Sequence, residues 1–140
     1  MPTPTVLVVD MANVVGSVPD GWWRDRVGAA ERLLTGLSRL TGRTLTGPDG
    51  QAVQVLRIVA VLEGKANRAA EPGGRGRSGP EIVRAAGSGD DSIVELATDR
   101  VAAGERVLVV SADRGLRARL PPAAATTGPS WLNGLLGRRA

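Results

Sequence analysis

The stretch "VLVVDMANVVG", Val6 to Gly16, decides the fold. Four apolar residues, Val6, Leu7, Val8 and Val9, run straight into a carboxylate, Asp10, and an amide follows at Asn13. A strand without polar alternation is buried on both faces, as in a parallel sheet covered by helices. Burying an unpaired charge at the tip of such a strand is costly. Asp10 is therefore expected to hold something, and Asn13 to orient a ligand, a bound water or the Asp10 carboxylate.

Outward from this strand (Thr5–Asp10), Pro19-Asp20 predicts a helix start with Asp20 as its cap. Val27, Ala30, Leu34, Leu37 and Leu40 recur at steps of three and four from Trp23, which predicts an amphipathic helix ended by Gly42. Trp23 shares that stripe and is expected in the core, whereas Trp22 lies at its edge, where it could stack on a base. After the turn "GPDG", Gly47–Gly50, a second strand is predicted over Val53–Leu62, with Glu63 at its tip.

Residues 64–80, with "EPGGRGRSGP" at their centre, predict a long, mobile, basic loop within a single domain. Glu81–Ala86 predicts a short strand. "GSGDD" leads into a helix with Ile93, Ala97 and Val101 on one stripe, capped by Asp90 or Asp91. Arg106–Val110 is a further buried strand, and Asp113 opens a short basic helix. Ala123–Thr127 predicts a weak last strand and Pro129–Leu136 a closing helix, with Trp131 in the core. Alternation of this kind implies α/β architecture: a mainly parallel sheet of four to five strands with helices on both faces.

The composition of the 140 residues narrows the chemistry. There is no Cys and no His, which excludes disulfides, thiolate zinc sites and Ser-His-Asp or Cys-His nucleophiles. The net charge is +4, and every base except Lys65 is an arginine, a residue suited to phosphate. Coding bias toward Arg, Ala and Gly also accounts for this excess. No apolar run reaches the ~20 residues of a membrane span, and the N-terminus does not read as a signal peptide. The expected location is cytoplasmic, without membrane association.

In a parallel sheet all C-terminal strand ends share one edge, and ligands bind there where strand order reverses. Asp10, Glu63, Asp90, Asp91 and Asp113 all follow strand ends. Carboxylates brought together repel, and a hard cation relieves the repulsion. An oxygen-only set calls for Mg²⁺ or Mn²⁺. Competing readings are capping for Asp90, Asp91 and Asp113, an Asx-turn for Asn13, and solvation for Glu63.

The motifs "VVDMANVVG", "GSGDDSIVELA" and "VVSADRGLRARL" together resemble the NYN/PIN-like ribonuclease superfamily, over about Val6 to Leu136. The resemblance implies a three-layer α/β/α sandwich (PIN-like) and metal-dependent cleavage of RNA. It places the metal-site acids at Asp10, Asp90 or Asp91, and Asp113, with Asn13 beside them; Asp10, Asp91 and Asp113 are expected to be the catalytic ligands, with Asp90 and Asn13 in support. Met11 stands where the family commonly has Gly, and Arg117 where some relatives carry a further acid. Glu63 matches no family position and is assigned a supporting role from its strand tip alone.

The function expected is an Mg²⁺- or Mn²⁺-dependent ribonuclease. Lys65, Arg68, Arg75 and Arg77 of the loop, with Arg114 and Arg117, would hold the backbone of single-stranded RNA. A homodimer or a protein partner is compatible with this reading. The alternatives are a catalytically weak or inactive module that binds RNA or protein, and a nucleotide phosphohydrolase. Against the last, Ala12 occupies the place where aspartyl phosphatases carry a second acid.

Overall fold

The computed structural model describes residues 1–72 and 79–138. Arg75 and Arg77 lie outside the described residues. In chain order the elements are β1 (Thr3–Asp10), α1 (Met11–Gly16), α2 (Arg26–Ser38), β2 (Thr44–Thr46) and β3 (Ala52–Leu62). They continue as β4 (Glu81–Arg84), α3 (Gly89–Ala102), β5 (Arg106–Val110), α4 (Arg114–Arg119), β6 (Ala125–Thr127) and α5 (Pro129–Leu136). Short 3-10 turns cover Trp22–Arg24 and Gly64–Arg68.

The strands form one six-stranded sheet, ordered β2-β3-β1-β5-β6 with β4 also on β3. β2 pairs antiparallel with the start of β3, and β4 pairs parallel with its end, so the two share one edge. All other pairings are parallel. Period-two alternation sends Leu7, Val9, Leu108 and Val110 to one face, against α1, α2 and α5. Val6, Val8, Val107 and Val109 go to the other face, against α3 and α4. The result is the expected α/β/α sandwich, with a core on each side of the sheet.

One irregularity re-aims a strand. β1 meets β3 at Thr5↔Val55 and then at Val6↔Arg57, so Leu56 is an extra residue without an opposite number. Below this bulge Val55 belongs to the α2 face; above it Val59 and Val61 belong to the α3 face. A one-residue slip exchanges the two faces of everything that follows. The bulge thus sends Glu63, two residues past Val61, toward the same side as Asp10.

Several local expectations are corrected. The helix expected from Asp20 is α2, which begins at Arg26 and is capped by Asp25 through the Gly28 N–H, not by Asp20. Trp23 lies in the preceding turn and is 50% exposed instead of core. Trp131 is half-buried against the α2-side core, its indole N–H donating to the Thr46 carbonyl. α1 and β2 were not anticipated. Ser88, not Asp90 or Asp91, caps α3; the two acids stand in its first turn. The expected loop begins with an ordered turn: Asn67 Nδ2 donates to the Ala85 carbonyl at 2.8 Å, and the Ala70 N–H to Glu31 Oε2 at 2.7 Å. Among the described residues no helix is long and apolar enough to cross a membrane.

Candidate acidic strand-tip site

The chain passes from β1 to β3 on one side of the sheet and returns to β5 on the other, so strand order reverses at the β1–β5 crevice. Asp10 stands at the end of β1 in that crevice, only 5% exposed. Ser111, the residue after β5, continues the 107–109 alternation onto the same face and is fully buried. Its hydroxyl donates to Asp10 Oδ2 at 2.7 Å and accepts from the Asp113 N–H at 3.1 Å. The Asn13 N–H lies 3.4 Å from Asp10 Oδ1, which makes Asp10 the cap of α1. Asn13 Oδ1 accepts from the Ala112 N–H at 2.9 Å. Its amide therefore ties the helix after β1 to the loop after β5.

Burial pushes the Asp10 carboxyl above the ordinary aspartate value of 3.8. Hydrogen bonds from Ser111 and from the Asn13 backbone oppose this, and the charges of Asp90 and Glu63 add to it. Asp90 and Glu63 are thereby the two acids that act electrically on Asp10. A close approach brings them there: a side chain at Gly89 would begin 3.1 Å from Glu63 Oε1, so the start of α3 lies against the tip of β3.

The remaining acids are engaged differently. Asp113 caps α4 through Oδ1, which accepts from the Leu116 N–H at 3.0 Å; the residue is exposed on the rim. Asp91 projects outward, its side chain 76% exposed and ion-paired with Arg119 at 2.6 Å. Among the predicted cations, Arg117 is half-buried and donates through Nε to the Ser111 carbonyl at 2.6 Å. It therefore braces the residue that orients Asp10. Arg114, Lys65 and Arg68 are exposed. Met11 is 1% exposed within the α2-side core.

Sequence reasoning missed Ser111, which the alternation Val107, Val109, Ser111 would have found. Arg119, read with Arg114 and Arg117 as a phosphate contact, instead pairs with Asp91.

Among the described residues no three acids form a ready-made metal cage. Mg²⁺ does not need one: it usually takes one or two carboxylates and completes its shell with water and substrate phosphate oxygens. Asp10, with the charges of Asp90 and Glu63 acting on it, supplies hard carboxylate oxygens of the kind such an ion takes.

No family model matches the chain, and no curated protein matches it. Among solved structures, the chain is similar to a single-residue variant of Rae1 (YacP) from Bacillus subtilis. The TM-score is 0.64 at 15% identity, over 94% of this chain and 74% of that one. The fold is NYN/PIN-like.

Proposed function

We propose that this protein is an Mg²⁺- or Mn²⁺-dependent ribonuclease that hydrolyses RNA phosphodiester bonds at the Asp10 rim. The observation that carries this reading is Asp10 itself. It is a carboxylate buried at the switch point of an α/β sheet, with two further acids pressing on it. Such an arrangement costs stability and persists where function requires it. The fold shared with Rae1 supports the reading.

Asp10 and Asp90 would hold the ion, with Asp113 on the opposite lip and Asp91 joining once its pair with Arg119 opens. When bound, the ion would polarise the phosphoryl group and lower the pKa of water. Ser111 fixes the Asp10 carboxylate through one oxygen, and Asn13 holds the two lips at constant spacing. Glu63 keeps the rim negative beside Asp10. Exposed Arg114, Lys65 and Arg68, with Arg75 and Arg77, would contact the RNA backbone.

The test is cleavage of a 5′-labelled single-stranded RNA. With Mn²⁺ the protein cuts; with chelator, or as Asp10→Asn, it does not. Intact RNA in every divalent metal, at protein concentrations that saturate binding, rules the reading out. The second reading, a binding module without catalysis, draws on the engagement of Asp91 by Arg119 and of Asp113 by α4. It predicts that last result.

A further inference from the structure

A cleft of about 320 Å³ opens beside the acidic rim, on the α1–α2 side of the sheet. Its lining includes Met11, Val15, Trp22, Arg26, Glu63 and Lys65. This volume lies at the small end of the range for ligand pockets, about 300–1,000 Å³.

Met11 and Val15 are core residues of α1 and make an apolar floor. Trp22 is half-buried, packed against that core, and has the Arg26 guanidinium 5.2 Å from its ring centroid. Trp23 meets it edge-on at 5.8 Å. The cleft thus has one wall built from an aromatic plane and a guanidinium plane. Both are surfaces on which unpaired bases stack.

The charges complete the argument. Arg26 and Lys65 are exposed cations at the mouth, suited to the phosphate that accompanies a base. Met11 follows Asp10 directly in the chain, and Glu63 lines the cleft while its charge acts on Asp10. A nucleotide seated here would leave its backbone at the acidic rim. An apolar peptide would use the floor but would have no need of the two cations.

We propose that this cleft is a base-binding subsite for single-stranded RNA. An unpaired base stacks on the Trp22–Arg26 wall, and its phosphate is held by Lys65. The assignment deepens the ribonuclease reading and rests on it for the strand's continuation across Asp10.

The experiment measures binding by fluorescence anisotropy, in chelator so that no cutting occurs. The probes are a labelled single-stranded hexaribonucleotide and a hexamer of the same sugar–phosphate chain without bases. The proteins are the full chain, Trp22→Leu and Trp22→Phe. Loss of one stacked base predicts about tenfold weaker binding of the base-bearing strand by Trp22→Leu. Binding of the abasic strand should change less than about twofold, and Trp22→Phe should recover most of the loss.

Equal losses on both probes would assign Trp22 a structural role, and no loss on either would empty the cleft of a base; each overturns the subsite. A free nucleoside monophosphate that binds as tightly as the hexamer would make the occupant a mononucleotide and overturn the strand assignment. The parent reading is scored separately. Base-dependent binding without Mn²⁺-dependent cutting keeps the subsite and removes the ribonuclease. Cutting without base dependence does the reverse.

Discussion

Replacing Ser111 with alanine removes one oxygen that serves two partners: it donates to Asp10 and accepts from the Asp113 N–H. A hydrogen bond to a charged group contributes about 1.5–3 kcal/mol. The Asp113 N–H lies near the surface, where water can replace the lost acceptor, so this bond adds about 0–1 kcal/mol. The expected cost at pH 7.5 is therefore about 1.5–4 kcal/mol, or roughly 4–12 °C in Tm for a chain of this size.

The cost depends on pH with a definite sign. Burial already raises the folded Asp10 pKa, and loss of the Ser111 donor raises it further. Between the unfolded and folded values the native state binds more protons than the unfolded one, so stability falls as pH rises. The variant's window reaches to higher pH, and its deficit relative to the parent is smaller at pH 5 than at pH 7.5. Urea unfolding at both pH values, in the parent and in an Asp10→Asn background, measures this. With the charge gone, the same serine substitution should cost only about 0.5–1.5 kcal/mol. An identical cost in both backgrounds, or a deficit that grows on acidification, refutes the argument that Ser111 acts through the Asp10 charge.

Asp10→Asn alone should raise Tm at pH 7.5, because it removes a carboxylate whose ionisation the fold opposes, and the gain should shrink on acidification; a lower Tm at pH 7.5 contradicts this. Arg119→Ala should change stability by less than about 1 kcal/mol, as for other exposed pairs, and should lower the Mn²⁺ concentration needed for cutting by freeing Asp91; an unchanged metal titration removes Asp91 from the site. Lys65→Ala should reduce the slope of log K against log salt for single-stranded RNA by about 0.7, and an unaltered slope shows that this lysine meets no phosphate. Leu34→Ala, at a fully buried position facing the sheet, should cost about 2–5 kcal/mol in urea unfolding.

The sandwich was legible because the strands carry the strongest local signals. Unbroken apolar runs at Val6–Val9 and Val107–Val110 belong only in a covered parallel sheet. Asp10 was legible for the same reason, as the charge that ends such a run. What was not legible depends on single residues or on distant partners. Alternation in Val53–Leu62 is nearly absent, so the sequence does not show that Leu56 is an extra residue or which face Glu63 reaches. α1 is six residues long and is capped by the site acid itself, so its cap reads equally well as a ligand. Asp91 looks like a neighbour of Asp90, but helical geometry turns it outward to Arg119, 28 positions away. Trp23 fits the helical stripe on paper, yet the helix starts only at Arg26.

The hydrogen bond from Ser111 to Asp10 spans 101 positions of chain. At 5–20 residues per second of synthesis, roughly 5–20 seconds separate the emergence of the two. Until β5 has been made and inserted beside β1, the carboxylate has neither its donor nor the Asn13–Ala112 tie. A nascent or truncated polypeptide therefore carries the acid without the rim. The rim is assembled in one step, when β5 takes its place beside β1.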